Sequence, residues 1–135
     1  MMILVDTTTW IDFLAGHSGE HVETLKSSIE HDEDICLCGV ILTEVLQGIR
    51  NDRQFEKTKR YLDTLIYLPI SHTAFLKSAE MYRSLRKKGI TIRRSLDCMI
   101  ASVAIEHGIH LLHNDKDFDP IEKYCGLKTM RIRKR

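Results

Sequence analysis

The stretch SLDCMIASVAIEHGIHLLHND, residues 95–115, carries the pattern that decides the fold. Met99, Ile100, Val103 and Ala104 recur at helical spacing, which predicts a helix over 96–107 with Ser95 as its cap. Gly108 follows at the position where a glycine commonly ends a helix. IHLLH, residues 109–113, is then an apolar run of strand length, and Asp115 comes directly after it. The segment therefore reads as a helix feeding a buried strand that stops on a carboxylate.

The same alternation extends outward in both directions. Short strands are expected at 2–5 and at DICLC (34–38), both buried, at IYLPI (66–70), which stops at Pro69, and at LKTMRI (127–132). Between them, helices are expected at 9–15, at 20–31 with Val22, Leu25 and Ile29 on one face, and at VILTEVLQGIR (40–50), ending near Gly48. Two more are expected at 52–65 and at 72–88, the latter with Phe75, Leu76, Ala79, Tyr82 and Leu85 turned inward. Short apolar strands alternating with helices imply an α/β protein whose parallel sheet is covered on both faces. Such sheets bind ligands beyond the carboxyl ends of their strands.

Composition bounds the rest. At 135 residues, 43% of them hydrophobic, with no linker or repeat, the chain reads as one domain over 1–135. Lys plus Arg is 20 and Asp plus Glu is 19, so any role with nucleic acid must rest on local patches. Cys36, Cys38, Cys98 and Cys125 form no Cys-x-x-Cys pair and follow no secretory signal, so they are read as reduced core thiols of a cytoplasmic protein. No apolar stretch reaches the length of a membrane span.

Four acids occupy telling places. Asp6 follows the first strand in ILVDTTTW, and Asp115 follows the fourth. Glu44 lies within an otherwise apolar helix, and Asp97 opens another. A parallel sheet can gather all four at one end. Carboxylates crowded in a partly dry site repel one another unless a cation intervenes. Hard oxygen ligands suit Mg²⁺ or Mn²⁺, which lower the pKa of bound water and stabilise charge on a phosphoryl oxygen. The set proposes metal-assisted hydrolysis of a phosphate ester. Each acid also has an ordinary structural explanation: Asp97 at a helix start, Asp115 and Asp6 in turns after strands. Glu44 resists such an explanation best, since an acid on an apolar face is rarely left unpaired. Thr9 and Asp12 have capping-box spacing, Asp119-Pro120 reads as another helix start, and Asp117 could reach a metal through water.

Taken together, ILVDTTTWIDFL, ILTEVLQGI and IRRSLDCMIASVAIEHGIHLLHNDKDFDPI resemble the PIN-domain nucleases, and among them the VapC toxins of prokaryotic toxin–antitoxin pairs. The likeness runs in order along almost the whole chain. It implies a three-layer α/β/α sandwich around a central, mostly parallel five-stranded sheet. It also implies a Mg²⁺- or Mn²⁺-dependent endoribonuclease that leaves a 5′-phosphate and a 3′-hydroxyl. Asp6, Glu44, Asp97 and Asp115 fall on the family's acidic positions, with Thr7 or Thr8 orienting Asp6 or a metal-bound water. The family resemblance implies a homodimer neutralised by a small VapB-like antitoxin. Two positions depart from the pattern: His113, where relatives often have Thr or Ser, and Cys38, where a capping Ser is common.

Residues 81–96 contain no acid and six basic residues, Arg83, Arg86, Lys87, Lys88, Arg93 and Arg94, and the C-terminus adds Arg131, Arg133, Lys134 and Arg135. Arg93 and Arg94 lie just before Asp97, a basic rim suited to RNA phosphates. His107, His110 and His113 recur every three residues, but Gly108 breaks the helix between them, which argues against zinc. Trp10 and Phe13 are read as core. Two other functions compete with this one. A haloacid-dehalogenase-type phosphohydrolase needs a second acid two residues after the first, where this chain has Thr8. A non-catalytic RNA- or protein-binding module would not need all four acids.

Overall fold

The computed structural model describes residues 1–130. The four strands are β1 (Met2–Val5), β2 (Asp34–Leu37), β3 (Ile66–Tyr67) and β4 (His110–Leu112). All pair in parallel, in the order β3-β2-β1-β4. Seven helices connect and follow them: α1 (Thr7–Leu14), α2 (Glu20–Glu30), α3 (Gly39–Gln47), α4 (Asp52–Leu62), α5 (His72–Lys87), α6 (Ser95–His107) and α7 (Asp119–Cys125). A 3₁₀ turn, Lys116–Phe118, precedes α7.

Parallel pairing follows from the strands themselves. Ile3, Leu4, Val5, Leu111 and Leu112 are all essentially inaccessible, so neither face of the central strands meets water. Right-handed crossovers then fix the layers. The chain moves one way across the sheet from β1 through β2 to β3, which sets α1 to α4 on one face. It returns past β1 to β4, which sets α5 and α6 on the other. The strand order reverses between β1 and β4, the switch point at which open parallel sheets present their ligand crevice. Asp6 and Asp115 follow those two strands, and the Asp6 amide donates to the Leu112 carbonyl at 3.0 Å, closing β1 onto β4 at the site.

The sheet has four strands among the described residues, where five were expected. Of LKTMRI, the segment around Thr129 makes a single parallel bridge to Leu111, with Leu111 N–H donating to Lys128 and Met130 N–H to Leu111; Arg131 and Ile132 lie outside the described residues, as do Arg133 to Arg135. The strand expected over 66–70 is confined to Ile66 and Tyr67.

Helix α5 is rotated from its expected face. Ala74, Ser78 and Leu85 are buried and Met81 and Tyr82 are partly so, whereas Phe75 and Leu76 are 48% and 54% exposed. The small residues Ala74 and Ser78 let α5 lie close on its neighbour, and the large apolar side chains were the misleading signal. Caps also shifted. Helix α1 begins at Thr7, with Asp6 rather than Thr9 as its N-cap, because the Asp6 carboxylate accepts from the Thr9 amide. Asp12 instead holds His21 at 2.7 Å and His17 at 3.3 Å. Ser95 is the first residue of α6 and makes no capping bond; Arg94 stands at the N-cap. Gly108 ends α6 in the left-handed conformation, φ 63°, as expected. Trp10 is fully buried, edge-on to Phe13 and Tyr61, and all four cysteines are free.

Leu112 ends β4 one residue before the loop that carries the site, and it is fully buried. Leu112→Ala is expected to destabilise the protein by about 2–5 kcal/mol, read from urea unfolding of the purified chain.

Candidate metal centre

Each carboxylate is delivered by a different element, and each has its own environment. Asp6 is 2% exposed; its Oδ1 accepts from the Thr9 amide at 2.9 Å and its Oδ2 from the Thr8 hydroxyl at 2.8 Å. Burial pushes its pKa up, and these two residues partly offset the rise. Thr8 is the position that aspartyl-phosphate chemistry would require to be an acid; here it serves Asp6 as a hydroxyl donor.

Glu44 projects from the middle of α3, its side chain 13% exposed. The Thr7 hydroxyl donates to its Oε1 at 2.8 Å, and the Arg94 guanidinium donates to its Oε2. The two threonines thus divide between two acids, Thr8 on Asp6 and Thr7 on Glu44. Arg94 also stands 4.0 Å from Asp97 Oδ1.

Asp97 lies in the first turn of α6, a helix buried on most of its surface. Its carboxylate is only 4% exposed, and Oδ2 is buried with no hydrogen-bond partner. A capping role does not explain this side chain. Desolvation dominates its titration, and despite the neighbouring Arg94 its pKa is pushed up to about 6, with Asp115, Asp117 and Glu44 adding repulsion. Asp115 follows β4. One of its oxygens accepts from the Asp117 amide at 2.9 Å, and its own amide donates to His113 Nδ1 at 3.1 Å. That bond makes Nδ1 the acceptor, so a neutral His113 carries its proton on Nε2. The ring packs on Phe118, 4.8 Å between centroids.

The tightest convergence is not the expected quartet. Asp97, Asp115 and Asp117 each offer an oxygen, and these lie within 4.8 Å of one another; no other such group of three His, Cys or acidic side chains occurs among the described residues. Asp117, expected at most through water, is a full member, because the 3₁₀ turn folds it back beside Asp115. Glu44 joins the group through Arg94, which touches both it and Asp97. Asp6 lies outside the group, and its neighbour Thr7 reaches Glu44. Sequence spacing gave no sign that Arg93 and Arg94 turn onto carboxylates. Arg93 Nε donates to Asp117 Oδ2 at 3.1 Å while 78% of its side chain stays exposed. The orphaned Asp97 oxygen and an all-oxygen donor set fit a hard divalent cation.

The family model for the PIN domain matches residues 3–124. A VapC ribonuclease of Mycobacterium bovis and ribonuclease VapC11 of Mycobacterium tuberculosis are each 34% identical over 134 residues, covering 98% of this chain and all of theirs. The chain belongs to the VapC family of PIN domains. The PIN fold is equally clear among solved structures. VapBC2 of Rickettsia felis, bound to a promoter DNA fragment, aligns with TM-score 0.76 at 20% identity over 96% of this chain and 98% of that one. VapBC-1 of Haemophilus influenzae aligns with TM-score 0.73 at 21% identity, over 96% of this chain and 97% of that one. No helix among the described residues of this PIN domain is long and apolar enough to cross a membrane.

The raised Asp97 pKa carries a prediction about the metal-free protein. A carboxyl more basic folded than unfolded adds stability that is complete only below its ordinary value of 3.8 and is lost as pH rises from there through about 6. Asp97→Asn removes that loss. In EDTA at pH 7 the variant is expected to be more stable than the parent by about 1–3 kcal/mol, and to melt at a temperature that changes less between pH 4 and 7. Calorimetric melts across that range measure both.

Proposed function

We propose that this PIN domain is a Mg²⁺- or Mn²⁺-dependent endoribonuclease, the toxin of a VapBC-type pair. The observation that carries the reading is the Asp97–Asp115–Asp117 convergence with its orphaned, buried oxygen, at the switch point of the sheet. The VapC ribonucleases that it matches over nearly their whole length support the same activity.

In this reading Asp6, Glu44, Asp97, Asp115 and Asp117 are the candidate ligands. Bound among them, a divalent ion supplies Lewis acidity toward a phosphoryl oxygen and water acidic enough to act near neutral pH. The chain's own groups do the rest. Thr8 and the Thr9 amide hold Asp6, Thr7 holds Glu44, and His113 fixes the loop that carries Asp115. No histidine is required as base. Arg93, mostly exposed at the rim, can meet a substrate phosphate on its outer side. Tyr67 and Phe75, both exposed, line a groove together with Glu44 and offer faces for unstacked bases. The partner reading follows from solved relatives described as VapBC complexes; we extend it to a small antitoxin protein and a homodimer for this chain. Free thiols and the lack of a spanning helix among the described residues support a cytoplasmic site of action.

A non-catalytic binding module is the competing reading. Purified protein incubated with a mixture of structured RNAs is expected to cut them with Mg²⁺ or Mn²⁺ and to stop in EDTA. Asp115→Asn is expected to slow cleavage by roughly 100-fold or more. Cleavage that persists in EDTA, or that survives this substitution, contradicts the mechanism.

A further inference from the structure

The acidic site has two unequal halves. On one side, the Asp97, Asp115 and Asp117 oxygens converge, Asp97 Oδ2 has no partner, and the cation on Asp117, Arg93, is mostly exposed. On the other, both oxygens of Glu44 are already engaged, one by the Thr7 hydroxyl and one by the Arg94 guanidinium. Arg94 is not a loose surface side chain. It occupies the N-cap position of α6, its carbonyl accepts from the Asp97 amide at 3.0 Å, and its side chain is 40% exposed, against 78% for that of Arg93. Helix geometry therefore places this cation over Glu44 and beside Asp97 at once.

A guanidinium stays charged at any working pH and is weakly hydrated, so it pairs with a half-buried carboxylate more readily than a hydrated Mg²⁺ does. It is also tethered three residues from Asp97, which gives it a high effective concentration at Glu44. A divalent ion arriving at Glu44 would meet its positive charge at close range.

We propose that Arg94 is the resident cation of the Glu44 half of the site, so that the protein binds a single divalent ion, at Asp97, Asp115 and Asp117, and Glu44, a candidate ligand above, holds Arg94 instead of metal. This deepens the nuclease reading and rests on it for its purpose: Arg94 takes the charge-neutralising place that a second ion would otherwise fill. Arg94 is thus a positioning residue for the site, distinct from Arg93, which touches Asp117 and has no contact with Glu44.

The test needs no RNA. Mn²⁺ is titrated into metal-free protein and followed by the electron paramagnetic resonance of the free ion, with circular dichroism melts to confirm folding. The parent is expected to bind one equivalent. Arg94→Gln is expected to gain a second site, roughly tenfold or more tighter than any second binding by the parent. Arg94→Lys, which keeps a cation there, and Arg93→Gln, which leaves Arg94 in place, are expected to stay at one. Adding Glu44→Gln to Arg94→Gln is expected to abolish the second site. Two equivalent Mn²⁺ ions in the parent, or a second site in Arg94→Gln that survives Glu44→Gln, overturn the inference. One bound ion together with no RNA cleavage would overturn the nuclease reading alone and support this assignment. No Mn²⁺ binding by the parent or by Arg94→Gln would overturn both.

Discussion

Parallel pairing of β1 with β4, where the strand order reverses, is the constraint on which the rest depends. It sets Asp6 and the loop bearing Asp115 side by side. The helices that enter from the two faces then bring Glu44 on α3 and Asp97 on α6 to the same end. Central strands buried on both faces leave their ends as the natural place for polar groups, and this protein fills that place with acids. The result is a store of like charge in poor contact with water. In isolation it opposes folding; matched by a cation it becomes a binding site.

The molecule manages that charge by three devices. Hydrogen bonds from Thr8 and the Thr9 amide stabilise Asp6 as an anion. Ion pairs from Arg94 and Arg93 neutralise Glu44 and Asp117. What these leave over falls on Asp97, whose buried oxygen has no partner and whose titration is displaced towards neutrality. Buried groups left unsatisfied in a native structure commonly mark function, and this one lies within the only three-carboxylate convergence among the described residues. Fold and site are thus two consequences of one topology.

Much of this was legible along the chain. Strand positions follow from runs such as ILV at 3–5 and LL at 111–112, whose uniform burial is the mark of a parallel sheet. Glu44 stood out because a charge on an apolar helix face needs a partner, and two partners are present. The misreadings share a cause. Phe75 and Leu76 have the spacing of an inner face of α5, but Ala74 and Ser78 are the residues buried there. Thr9 had the spacing of a cap, yet Asp6 one turn earlier is the better acceptor and has the extended backbone a cap needs. Local pattern ranks candidates; it does not weigh them against neighbours distant in sequence.

The sequence by itself determined the alternation of strands and helices, the burial of the central strands, and the identity of the acids at the sheet's carboxyl end, because periodicity and residue chemistry are local properties. Only the tertiary structure decided how those acids divide. Three residues of separation cannot say whether Arg94 faces solvent or Glu44, fifty positions away, and the spacing of Asp115 and Asp117 does not reveal the 3₁₀ turn that joins their oxygens. Electrostatic interaction depends on distance through space and on the water excluded from between charges, and both are set by the packing of α3, α6 and the loop after β4.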